Sequence, residues 1–371
     1  MTTLRGMTWN HPRGYDPMVA VSAEWQRDTG VGIHWDKRSL QDFESYPVET
    51  LAREYDLIVI DHPHVGQITA EGCLHPLPDA PEIARASVGL SYPSYVWQGK
   101  QWAYPIDAAT QVQAIRPDLI GQAPATWDEV LDLAKSGRVA IPLRAPHILM
   151  SFLTLVANAG HPVRTEGPGQ FVDRKAGIAA LERLAALAAL VDPACYDWDP
   201  IEVYERMAAG DQIACVPLAY GYVSYSRRDA PGKRLSFHDI AETRPGAGVA
   251  GSALGGTGIA VSAFSTKPEA AIAFARHVAG PEVQRGLYAG SGGQVGHGEA
   301  WHDANVDAEA GGFYSGTART LAGAVLRPRH DGYMPFQDAA SARIAQALKD
   351  GDFGAAIDDM GRLFAATFTA G

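Results

Sequence analysis

Arginine and histidine side chains gather at a few places in this 371-residue sequence. Asn10, His11 and Arg13 follow one apolar run, Arg38 a second, and Asp61, His62 and His64 a third. Arg144 with His147, and Tyr220 with Tyr222, follow two later runs. If those runs are strands, all these residues stand at carboxyl ends, where open α/β sheets bind ligands. The set holds three Arg and four His against one Asp. Guanidinium groups pair bidentately with carboxylate, sulfonate or phosphate, so the cluster predicts a cleft that draws in a small anion. Trp9, Tyr220 and Tyr222 would stack on a ring. Gly255 and Gly256 would let the backbone approach a ligand closely. Asp107 is counted with them as a ligand contact.

The same residues are tested against other chemistry. His62-Pro63-His64 beside Asp61 places two imidazoles at i and i+2, but no Cys or carboxylate spacing accompanies them, so no metal site is expected. His, Arg and Asp in one cleft could also serve general acid–base catalysis. Yet no nucleophile elbow, P-loop, G-x-G-x-x-G or H-E-x-x-H occurs, and Gly251–Gly258 (GSALGGTG) carries no Lys. No catalytic residue and no cofactor is therefore assigned. A cytoplasmic enzyme or ligand sensor stays as the alternative.

Composition narrows the partners. There are 31 Lys and Arg against 42 Asp and Glu, a formal net charge of −11, which repels nucleic acid and anionic membranes. No apolar run approaches the roughly 18–20 residues that span a bilayer, so no membrane insertion is expected. The opening MTTLRGMTWN lacks an apolar signal region, so either the protein is cytoplasmic or an export signal was removed. Cys73, Cys195 and Cys215 have no C-x-x-C spacing and read as core thiols. The length suits about two domains. Nothing argues for an obligate oligomer, and a monomer is expected.

The elements that must position these residues read as α/β throughout. Leu4–Trp9, Gly32–Lys37 and Asp56–Asp61 read as strands, with helices starting at Asp16-Pro17 and at Ser39, the latter running to about Tyr55. Such alternation is what parallel strands require. Tyr95–Tyr104 reads as a hairpin turning at Gly99-Lys100, with Trp97 opposite Trp102 and Pro105 as its end. Gln111–Arg116, Val139–Leu143, Ile213–Leu218 and Gly255–Ser262 read as further strands. Thr126 and Glu129 form a capping box. Helices are expected at Ser151–Ala159, Gly177–Val191, Thr266–Ala279, from Pro281, and from Phe336 onward with a break near Gly351–Gly354.

Three stretches carry a resemblance to a known family. YVWQGKQWAYPIDAATQVQAIRPDLIGQAPATWDEVLDLA (Tyr95–Ala134) looks like its hairpin, crossover strand and helix start. MAAGDQIACVPLAYGYV (Met207–Val223) looks like its strand with a ligand-facing aromatic loop. GSALGGTGIAVSAFSTKPEAAIAFARHVAGPEVQ (Gly251–Gln284) looks like its Gly-Gly crossover strand and following helix. In their order and spacing they resemble the extracellular solute-binding proteins of ABC transporters, family 1, carbohydrate-type. The resemblance implies a two-lobed, class II periplasmic-binding-protein-like fold with the ligand cleft between the lobes. It puts residues 1–108 plus 257–312 in one lobe and 109–256 plus 313–371 in the other. It implies a small-molecule ligand, an ABC permease as partner, and a periplasmic or extracellular location. Some relatives hold ferric iron through tyrosines, which would give Tyr220, Tyr222 and Tyr225 that role. An acidic sugar or small organic anion is the favoured ligand, with a neutral sugar next.

Overall fold

The computed structural model of the protein describes residues 2–39 and 48–368. Its strands are β1 (Thr3–Trp9), β2 (Gly32–Arg38), β3 (Leu57–Ile60), β4 (Leu74–His75), β5 (Val96–Trp97), β6 (Lys100–Gln101), β7 (Ala103–Ile115), β8 (Cys215–Tyr220), β9 (Ser236–His238) and β10 (Leu254–Ser262). One sheet runs in the order β2-β1-β3-β10-β7-β8, with β4 on β10 and β9 on β7. β1 pairs in parallel with β2 and β3, while β10 runs antiparallel to β3 and β7. The β-α-β-α-β opening expected from the sequence is therefore present. All four residues of β3 are buried, which is why it reads as an unbroken apolar run.

β7 holds the molecule together. Its thirteen residues are all buried. Ala103–Thr110 pair with β10, and Gln111–Ile115 pair with β8 and β9. Pro105 does not end the hairpin as the sequence suggested. β10 absorbs it by a register shift between Thr257 and Gly258, where a bulge removes the need for its missing N–H. The hairpin turn is Gln98-Gly99, both at positive φ, so Trp97 faces Lys100 rather than Trp102. Val139–Leu143 contributes a single bridge to Cys215 instead of a full strand.

Local signals explain the helices. Pro12–Thr29 starts four residues before the expected Asp16: the His11 side chain accepts from the Arg13 N–H, and Pro12 occupies the first turn. Gly30 closes it in the left-handed region. Thr126 and Glu129 form the expected capping box on Trp127–Ala134. The helix assigned from Ser39 is observed over Val48–Glu54; residues 40–47 lie outside the described ones. His147–Asn158 is buried on every face, and Arg174–Ala188, Tyr333–Asp350 and Phe353–Ala366 pack with it into one helical layer. Cys73, Cys195 and Cys215 are buried free thiols.

Candidate functional site

The carboxyl ends of β1, β3 and β8 meet the glycine-rich start of β10 around a cavity of about 510 Å³, mouth included. Trp9, Arg13, Asp61 and His147 line it, with Tyr220 and Tyr222 from the loop after β8. Gly255 and Gly256 line the side formed by β10. A Cβ on Gly255 would lie 2.5 Å from the Tyr220 ring, and one on Gly256, at φ +93°, would lie 2.3 Å from the Asp107 carbonyl. Both glycines are thus required for the wall to close against the aromatic ring and β7.

The charges on this wall are spoken for. Arg13 is buried and forks onto Asp107, Nε to Oδ2 at 2.7 Å and Nη2 to Oδ1. Its Nη1 donates to the Gly221 carbonyl at 2.8 Å, and the guanidinium lies 4.4 Å over the Tyr222 ring. Burial pushes the Asp107 carboxyl up, and Arg13 pulls it back. Asp61 accepts from the His62 N–H at 2.8 Å and from Arg327 Nη2 at 2.5 Å. Burial would raise the Asp61 pKa, but Arg327 and, after it, His62 together outweigh burial and hold the carboxyl well below the usual range. His147 opens the buried helix His147–Asn158. Burial, then Arg144 and Arg327, push its pKa down to about 3, so the ring is neutral. Its Nδ1 and the Thr257 hydroxyl have no hydrogen-bond partner among the described residues.

Several residues expected at the site lie elsewhere. Asn10 is exposed. His11 caps a helix and stacks edge-on against Tyr222, 5.0 Å between centroids, with its pKa driven to about 3 by burial and Arg13. Arg38 pairs with Glu54 at 3.8 Å. His62 and His64 form a buried turn behind Asp61, both lowered to about 4, by burial first. Arg144 pairs with Asp199 and, at 3.3 Å, with Glu202, reinforcing the cap of Pro200–Ala209. Asp107 stands behind Arg13. The cationic cluster read from the sequence is therefore dispersed: of its three arginines only Arg13 lines the cavity, and it is neutralised.

The strand-end rule missed Ala109, Pro200 and Thr257, which line the cavity, and Arg327, which touches Asp61. Thr257 sits inside β10, and Arg327 follows no strand. A pairing signal would have been needed to find it. Among the described residues no group of three or more His, Cys, Asp or Glu side chains could hold a metal ion. No helix there is long and apolar enough to cross a membrane.

A family model described as bacterial extracellular solute-binding protein matches residues 23–294. Among solved structures, maltose-bound MalE3 of T. maritima superposes with a TM-score of 0.85 at 16% identity, covering 98% of each chain. The GacH receptor of Streptomyces glaucescens GLA.O gives 0.81 at 16% identity, covering 100% of this chain and 99% of that one. A solute-binding protein of an ABC transporter from Agrobacterium radiobacter K84, in complex with ribitol, gives 0.77 at 19% identity, covering 98% of each. At such identities these likenesses establish the two-lobed fold.

Proposed function

The chain belongs to the bacterial extracellular solute-binding family, and from that premise we propose that it captures a small neutral polyhydroxylated molecule, of sugar or sugar-alcohol size. Capture occurs between lobes formed by residues 1–108 with 257–312 and by 109–256 with 313–371. The protein then presents its ligand to an ABC permease outside the cytoplasm. One observation carries the ligand class: among the described residues the charged side chains lining the cavity are Arg13 and Asp61, and each is paired within the protein. A cavity whose charges are internally balanced offers hydrogen bonds without net attraction for an anion. The half-buried Tyr220 ring, backed by the buried Trp9 and Tyr222, suits the apolar face of a sugar ring. MalE3 and the Agrobacterium protein, with maltose and ribitol, are consistent with this chemistry. An acidic sugar or organic anion, favoured by the sequence alone, ranks second because its supporting cations are paired or distant.

The cavity also argues against catalysis. A general acid or base works best with a pKa near the operating pH, and His147 lies far below it. The reading is tested by calorimetric titration of the purified chain with neutral polyols and matched uronic acids at low and high salt. Neutral compounds should bind with salt-independent affinity and be recovered unchanged. Binding of the acids alone, weakening with salt, overturns the ligand class. Consumption of a bound compound overturns the binding function.

A further inference from the structure

Residues 324–332, assigned from the sequence to the second lobe, pair first with residues 252–254 of that lobe and then run against elements of the first. The Val325 N–H donates to the Ser252 carbonyl at 2.8 Å, and the Val325 carbonyl accepts from the Leu254 N–H at 2.9 Å. Arg329 Nη1 donates to the carbonyls of Pro93, Ser94 and Val96 at 3.1, 2.8 and 3.0 Å. The strap lies so close to the short helix Val65–Ala70, which follows the Asp61 turn, that a Cβ on Gly66 would sit 1.9 Å from the Arg329 carbonyl. The helix that follows, Tyr333–Asp350, packs on His147–Asn158 and Arg174–Ala188. The strap therefore links the helical layer to the Asp61 turn, and Arg327 is the side chain it sends to Asp61, which itself lines the cavity.

Arg327 is buried and grips two wall elements at once. Its Nη2 donates to Asp61 Oδ2 at 2.5 Å, and its Nε donates to the Leu254 carbonyl at 3.2 Å. That carbonyl also accepts from the Tyr220 hydroxyl at 3.4 Å. We propose that Arg327 is the positioning residue of the binding site, fixing Asp61 as a charged acceptor for ligand hydroxyl groups. The inference rests on the neutral-polyol reading above for the nature of that ligand.

The chemistry is specific. An ionised carboxylate offers about four lone-pair sites. Asp61 spends Oδ1 on its own turn, on the His62 N–H and against the His62 ring Nδ1 at 3.2 Å, and one site of Oδ2 on Arg327, leaving acceptor capacity on Oδ2 of a side chain that is 19% exposed and lines the cavity. A guanidinium fork can serve the carboxylate and the Leu254 carbonyl together, which a lysine ammonium cannot match in geometry. The other titratable groups facing Asp61 are His62 and His64 of its own turn, Asp107 on β7, Tyr95 before the hairpin, and Tyr333 after the strap. The two histidines are neutral, Asp107 is committed to Arg13, and burial keeps both tyrosines protonated. Among the described residues Arg327 is thus the cation in contact with Asp61.

The test uses the full chain as Arg327→Met, Arg327→Lys, Asp61→Asn and the double variant R327M/D61N. The first readout needs no ligand: a carbon-13 NMR titration of the Asp61 carboxyl, identified by its loss in Asp61→Asn. In the native chain Asp61 should stay ionised throughout pH 4–8. In Arg327→Met it should titrate inside that window, and Arg327→Lys should restore most of the native behaviour. The second readout is affinity for ribitol and maltose. Arg327→Met should weaken binding at least tenfold at pH 7.5, with the loss growing toward pH 5, and Arg327→Lys should recover part of it. The double variant buries no uncompensated charge, so it guards against a folding failure of Arg327→Met; it should bind no better than Asp61→Asn. An unchanged Asp61 titration in Arg327→Met, or a double variant with native affinity, overturns the inference. If the native chain binds neither probe, the ligand reading fails while the NMR titration still decides the role of Arg327.

Discussion

The neutral state of His147 leads to a prediction that can be worked through from its environment. Its ring is 3% exposed, and burial, then Arg144 and Arg327, lower its pKa from 6.5 to about 3. The unfolded chain takes up a proton near pH 6.5 that the folded chain refuses. The stability held through this residue is therefore fully present above pH 6.5 and is lost as pH falls from 6.5 toward 3. At pH 5.5, one unit below the unfolded value, the loss is about 1.4 kcal/mol, since one unit is worth about 1.36 kcal/mol. His147→Gln removes this linkage and leaves every other ionisable group in place. The penalty of the substitution, taken from urea unfolding midpoints, should be smaller by about 1.4 kcal/mol at pH 5.5 than at pH 7.5. Equal penalties at the two pH values would refute the assignment of a buried neutral imidazole, and with it the argument that His147 is no general base.

Three further outcomes are expected. Gly255→Ala places a methyl 2.5 Å from the Tyr220 ring, so the ring must retreat by about 1 Å to reach ordinary contact distance; calorimetry should show a polyol affinity loss of at least about tenfold, and unfolding a cost of about 1–3 kcal/mol. Thr257→Val removes a buried hydroxyl without a partner among the described residues, so it should raise stability by about 1 kcal/mol while lowering ligand affinity; a loss of stability would place an unseen partner on that oxygen. Arg13→Met leaves Asp107 buried without its cation and should cost about 3–5 kcal/mol, whereas R13M/D107N should cost clearly less; urea unfolding of both variants checks the order.

Much of the framework was legible because its signals are local. The apolar run of β3, the Gly30 cap, the Thr126–Glu129 box and the strand Leu254–Ser262 each depend on residues a few positions apart. The strand-end rule brought out Arg13 and Asp61 for the same reason: a residue soon after a parallel strand is delivered to the sheet's carboxyl edge by geometry alone. The hairpin shows the limit of local reading. A one-residue error in its turn moved Trp97 from Lys100 to Trp102, because register is set by which residues take positive φ. Arg38 and Arg144 show another limit. Arg38 ends β2 and Arg144 follows the single bridge at Val139, yet they pair with Glu54 and Asp199 and do not line the cavity.

By itself, then, the amino-acid sequence determined the α/β alternation, the order of the elements, the caps and the family. These follow from hydrophobic periodicity and from hydrogen bonds that span only a few residues. Tertiary structure alone decided the electrostatic character of the cleft. Arg13 meets Asp107 across 94 positions, and Arg327 meets Asp61 across 266. Coulomb attraction depends on separation in space, not along the chain. A count of charges at strand ends therefore points to an anion, while the folded molecule sets each of those lining charges against its opposite.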